Sequence, residues 1–146
     1  MVNTGITNMA YVNWQNYLNE VGINYFSLSV FKEDLSLLCY CNNSKWFSLY
    51  KESYLPTPPV QNHILKISEG LIIWDSDFFA QDIAFYIKKR NEITNSNAIW
   101  TLVTRKDDLK TAISFGSKYD ALHMYHFITR NKQEISGFSS FVTGQF

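Results

Sequence analysis

The sequence predicts an α+β fold, an antiparallel sheet with helices on both faces (an α-β-α sandwich). Three observations predict it. Strand-like runs come as adjacent pairs joined by short polar turns, not as regular βαβ units. Segments with helical spacing precede, separate and follow those pairs. The strands are apolar on both sides: between residues 23 and 31, Phe26, Leu28 and Val30 share one face, while Ile23, Tyr25 and Phe31 share the other. A sheet apolar on both faces is covered on both faces.

The elements follow in order. From Met9 to Glu20, apolar residues recur at the three-and-four spacing of a helix face, and Gly22 stands where a C-cap belongs. Residues 23–31 are rich in aromatic and β-branched side chains and form a strand. Lys32-Glu33-Asp34 is a polar turn, and residues 35–41 complete a hairpin. Asn42-Asn43-Ser44 offers N-cap chemistry for a helix from Lys45 to about Tyr54. Pro56-Thr57-Pro58-Pro59 breaks regular structure. Residues 71–74 are a short apolar segment, strand or loop. Asp75 or Ser76 caps a helix from Asp77 to Arg90, with Phe78, Ala80, Ile83, Ala84 and Ile87 on its buried face and Lys88, Lys89 and Arg90 complementing its C-terminal dipole. Residues 98–105 and 109–115 form a second hairpin around Lys106-Asp107-Asp108. A last helical region begins near Lys118, with Leu122, Tyr125, Ile128, Ile135, Phe138 and Val142 apolar and Gly137 as its expected break. This order suits a layered architecture of the PAS/GAF kind.

Composition narrows the function. A chain of 146 residues suits one domain and needs no metal or disulfide staple. Aromatic residues make up 16%, enough to demand a large interior, a pocket or a partner surface. Thirteen basic and 13 acidic residues cancel, which argues against direct nucleic-acid binding by these residues. No apolar run approaches the roughly 20 residues of a membrane span. Residues 1–10 show no secretory signal. Cys39 and Cys41, two apart on one strand face, are poorly placed for a mutual disulfide. A reducing, cytoplasmic setting follows.

No complete catalytic constellation is present, and the chain reads as a non-enzyme. Trp46 and Tyr50 stand four apart on one helix face. Two readings remain open for them: a polar-tipped aromatic pair lining a ligand cavity, or ordinary core packing with satisfied tips. His123 and His126 have no partner ligand at metal spacing and read as surface or half-buried histidines. Asp75-Ser76-Asp77 is better explained by capping than by paired acids. Cys39 lacks an electropositive setting and reads as a small buried group, not a nucleophile. Gly116 and Gly137 stand outside any phosphate-loop spacing. No cofactor and no metal site is expected.

One resemblance adds to this reading. Its residues are Tyr25 to Leu37, then Asn43-Ser44-Lys45-Trp46 and Tyr50, Pro59-Val60, Gly70 to Trp74, and Ser114-Phe115-Gly116-Ser117. In these the chain resembles the N-terminal ligand-sensing domain of LuxR-type quorum-sensing transcription regulators, and looks closer still to their divergent orphan branch. The likeness runs from about Val21 to Phe141, with the Trp-x-x-x-Tyr spacing, the following Pro-Val and the later Trp as its most specific part. The resemblance implies that Trp46 and Tyr50 contact an acyl-homoserine lactone and that Trp74 matches a further pocket tryptophan. Where the family pattern has an Asp that binds the ligand's amide, this chain has Pro58. Proline has no side-chain acceptor, so that amide would go unpaired at a cost of roughly 1–3 kcal/mol, which leaves a different small ligand, or none, as the expectation.

The expectation is one ligand-sensing domain over residues 1–146, without the helix-turn-helix domain through which such regulators contact DNA. Trp46, Tyr50, Trp74, Tyr25 and Trp100 are its expected ligand-binding residues. Its expected partners are a small amphiphilic ligand and a second copy in a homodimer, with no membrane. The rival is a ligand-free dimerisation module regulating a full-length partner. A small enzyme with a hydrophobic pocket is the third reading.

Overall fold

Two hairpins carry the sheet. In the computed structural model, which describes residues 9–54 and 58–146, the strands are Tyr25–Lys32 (β1), Leu35–Cys41 (β2), Gly70–Ile73 (β3), Ala98–Lys106 (β4) and Leu109–Ser117 (β5). They form one sheet in the order β2-β1-β5-β4-β3, with every pairing antiparallel. The polar turns fall where the sequence places them. Glu33 and Asp107 hold them with left-handed φ values of 57° and 56°. Central β5 pairs on both sides and is buried along nearly its whole length.

The helices are Met9–Glu20 (α1), Ser44–Ser53 (α2), Gln61–Lys66 (α3), Gln81–Thr94 (α4), Ala121–Arg130 (α5) and Lys132–Thr143 (α6). Strand alternation splits the apolar residues between two cores, as an α+β sandwich requires. The first core joins Phe26, Leu28 and Val30 of β1 and Phe115 of β5 to α1, α5 and α6. It is filled with rings: Trp14 stacks on Phe138 with centroids 4.5 Å apart and planes within 5°. The second core joins Tyr25, Phe31, Ile99 and Val103 to α2, α3 and α4.

Several expectations need correction. Ile23 belongs to the first core, not the second, because it precedes β1 and the strand alternation does not reach back to it. The helix expected from Asp77 begins only at Gln81 and runs on to Thr94. Asp75 instead accepts from the Asp77 N–H, capping a single 3₁₀ turn at Ser76–Phe78, and Ala80 at ψ 159° is extended. Phe78 is therefore 81% exposed and not in the core. Arg90 sits inside the helix, not at its end, and points inward at 3% exposure. The last helical region breaks at Asn131, not Gly137. Asp120 caps α5 through the His123 N–H, which sets Met124 and Phe127 on the sheet and leaves Leu122 and Tyr125 exposed.

Helix α3 has no expected counterpart in the sequence. Lys110 fixes it from below: its Nζ donates to the Leu65 carbonyl at 2.8 Å, a cation on the last carbonyls of a helix. Pro56 and Thr57 lie outside the described residues. No described helix is long and apolar enough to cross a membrane.

Candidate functional site

The second core is not filled. On that face β1 presents Tyr25, Ser27, Ser29 and Phe31, two small side chains between two large ones. Ser27 pairs with Cys41 of β2 and Ser114 of β5, and Ser29 pairs with Cys39 and Ala112. Two adjacent rows of three small side chains thus cross the sheet. The helices above cannot reach down to them, and a cavity of about 340 Å³ remains. That volume lies in the range of small-molecule sites, roughly 300–1,000 Å³.

The cavity is long and its ends differ. From Tyr25 to Phe31 the strand rises ~20 Å. At the inner end stand Tyr25, Trp46, Tyr86 and Arg90, none more than 3% exposed. At the outer end stand Phe31, Val60, Ile64 and the exposed Asp34 of the β1–β2 turn.

Local chemistry sets the inner wall. Asn43 caps α2 by accepting from the Trp46 N–H at 2.8 Å. Its neighbour Asn42 accepts from the Phe26 N–H at 3.0 Å, tying the start of α2 to β1. Trp46 then meets Tyr86 edge to face, centroids 5.3 Å apart. Gly116 lies opposite Tyr25 across the sheet, where a Cβ would come within 2.8 Å of Tyr25 Cβ and of Ser96 Oγ. Only glycine leaves Tyr25 in this position.

The electrostatics are one-sided. Burial pushes the Cys41 thiol up to about 11 and the Tyr86 phenol up to about 12, and raises Cys39, Tyr25 and Tyr50 as well. All five are neutral at physiological pH. Arg90 alone is charged at the inner end. Its guanidinium lies over the rings of Tyr86, at 5.4 Å, and Trp74, at 5.7 Å. Its Nε and Nη2 are buried without an acceptor among the described residues. A polar chain also reaches the cavity from behind: Trp74 Nε1 donates to Thr101 Oγ1 at 2.7 Å, and Thr101 Oγ1 lies 2.6 Å from Ser114 Oγ on the floor.

Of the expected binding residues, Trp46, Tyr50 and Tyr25 line the cavity together. Trp74 stands behind Arg90 and reaches the cavity only through Thr101 and Ser114. Trp100 does not come to it at all; it pairs with Phe115 on the opposite face and packs in the first core. Pro58 is buried and lines the cavity. Sequence reasoning missed Arg90, Tyr86 and the small floor. The floor had a signal, Ser27 and Ser29 alternating with larger residues in a strand. Arg90 had a fainter one, seven residues after Ile83 and three after Ile87 on the buried stripe of α4. With its thiols protonated, the site offers no activated nucleophile. Among the described residues, no group of three or more His, Cys, Asp or Glu is placed to hold a metal ion.

No family model and no curated protein matches this chain. Solved structures do. Escherichia coli SdiA in space group P6522 matches at a TM-score of 0.56 and 20% identity, covering 75% of this chain and 48% of that one. SdiA in complex with octanoyl-rac-glycerol matches at 0.53 and 18%, covering 76% and 47%. The LBD domain of VqsR from Pseudomonas aeruginosa matches at 0.55 and 13%, covering 86% and 81%. The chain has the fold of these LuxR-type ligand-binding domains. It spans about half the length of the SdiA chains and most of the VqsR domain. The α+β sandwich predicted from the strand pairs and helical segments of the sequence is the fold observed.

Proposed function

We propose that residues 1–146 form one small-molecule-sensing domain of a LuxR-type transcription regulator, working in the cytoplasm as a homodimer. The observation that carries this reading is the cavity, built by two rows of small side chains under an aromatic and cationic wall. A fold stabilised by packing alone would not hold six small residues in register beneath three helices, because unfilled volume costs stability. The ligand is a small amphiphile. The neutral amphiphile octanoyl-rac-glycerol bound to SdiA supports that class. A ligand that binds only the folded, dimer-competent state shifts the population toward it. DNA contact in this reading belongs to a helix-turn-helix domain outside the present sequence.

A second reading is a ligand-free module that regulates a full-length partner by dimerisation. Pro58 favours it, since this cavity-lining position offers no side-chain acceptor where the family pattern has an acid. Titration with octanoyl-glycerol, followed by tryptophan fluorescence and sedimentation velocity, separates the two. The sensing reading predicts saturable quenching and a ligand-dependent shift toward dimer. A dimer unchanged by ligand, with flat fluorescence, selects the ligand-free module.

A further inference from the structure

Packing explains every large side chain at the inner end of the cavity except Arg90. The guanidinium is 3% exposed, yet it forms no ion pair among the described residues, and its Nε and Nη2 have no acceptor there. A guanidinium is a cation that a fold ordinarily pairs with an acceptor when it buries it. A buried charge without a partner is one of the most expensive features a fold can carry. The rings of Tyr86 and Trp74 take its faces, which leaves the donors at its edge for something else. Arg90 is one of the residues that line the cavity. The groups around it are Tyr25, Tyr86 and Cys41, all held neutral by burial. Among the described residues, Asp34 is the one carboxylate in the lining. It is exposed in the β1–β2 turn, at the end of the cavity ~20 Å of strand away.

We propose that the cavity selects an amphiphile that carries a carboxylate, bound by the planar fork of Arg90 at the inner end. The inference rests on the sensing reading and names the ligand class for it. The fork geometry of a guanidinium matches the two oxygens of a carboxylate, and such pairs are shorter and stronger than neutral hydrogen bonds. The apolar chain then runs over the Ser27 and Ser29 rows toward Phe31, Val60 and Ile64 at the outer end. Ser114, held by Thr101, offers a hydroxyl beside that path. The unpaired charge also gives the sensor its coupling. The free protein carries an uncompensated guanidinium in its core, and the ligand supplies the missing counter-charge, so binding stabilises the fold more than apolar filling would.

The test compares decanoate with methyl decanoate, below their aggregation limits, by calorimetry on the full chain. Wild-type protein is expected to bind the acid about tenfold or more tighter than the ester. Arg90→Met is expected to erase that preference while keeping ester binding. Equal affinity of acid and ester in wild-type protein overturns the carboxylate assignment and leaves the sensing reading intact. A preference that survives in Arg90→Met overturns the role of Arg90. Binding of neither compound, nor of octanoyl-glycerol, overturns the sensing reading itself and this inference with it. The wild-type comparison decides the ligand class even where the Met variant fails to fold, and Arg90→Lys, which keeps charge but loses the fork, then stands in for it with a reduced preference expected.

Discussion

Trp74 donates its indole N–H to the hydroxyl of Thr101 at 2.7 Å, and the bond is buried on the sheet face behind the cavity. It anchors the ring on which Arg90 rests and orients the Thr101 hydroxyl toward Ser114. Trp74→Phe keeps an aromatic six-membered ring but removes the donor together with the five-membered ring that carries it. The variant is expected to lose about 1–3 kcal/mol in denaturant unfolding, because Thr101 is left with a buried lone pair. Ligand affinity falls less in this variant than in Trp46→Phe, since Trp74 does not line the cavity.

Two tryptophans separate the faces of the sheet. Trp46 lines the cavity, whereas Trp100 packs against the first core. Both replacements with Phe lower stability through lost packing, and for each about 1–3 kcal/mol is expected. Only Trp46→Phe is expected to weaken octanoyl-glycerol binding, by about tenfold or more, read by calorimetry at matched folded fractions. Loss of affinity in Trp100→Phe equal to that in Trp46→Phe would move the site to the other face.

The cavity thiols give a pH dependence with a definite sign. Cys41 is raised from 9.0 to about 11 when folded, chiefly by burial. The neutral thiol is the form the fold prefers, so its contribution is complete below pH 9.0 and is lost as pH rises through about 11. Tyr86, raised from 10.0 to about 12, acts in the same direction one unit higher. Urea unfolding is expected to give on the order of 2 kcal/mol less stability at about pH 10.5 than at about pH 8. Cys41→Ala flattens the first part of that decline. The same shift makes Cys41 slow toward thiol reagents near neutral pH, and a bound ligand slows it further.

Gly116 tests how the inner end is held open. Gly116→Ala puts a methyl 2.8 Å from Tyr25 Cβ. The strand pair must shift, at a cost of about 1–3 kcal/mol. Because Tyr25 lines the cavity, ligand affinity is expected to fall together with the thermal midpoint. A variant that loses stability but binds as tightly as wild type would show that Tyr25 is not a contact.

The hairpins were legible because their turns announce themselves: Lys32-Glu33-Asp34 and Lys106-Asp107-Asp108 interrupt runs of alternating apolar residues. Trp46 and Tyr50 were legible through helical spacing after the Asn43 cap. Helix α3 was not, because six residues carry too little periodicity and its anchor, Lys110, lies more than 40 positions away. The start of α4 was misread because Asp75 offers capping chemistry that a 3₁₀ turn uses instead. The sequence places Arg90 in the run Lys88-Lys89-Arg90 as a complement to the C-terminal dipole of its helix. Its burial is set by the tertiary fold, where the rings of Tyr86 and Trp74 receive it. Strand alternation puts Trp100 on the face of Leu102, in the first core and away from the cavity.

The most direct test of the account is native mass spectrometry of the protein purified gently from its own host, repeated under denaturing conditions. The account predicts a small-molecule mass excess that disappears on denaturation and is smaller or absent in Arg90→Met and Trp46→Phe. A protein that stays at its bare chain mass in the native spectrum, and gains no adduct when decanoate or octanoyl-glycerol is added, would contradict it.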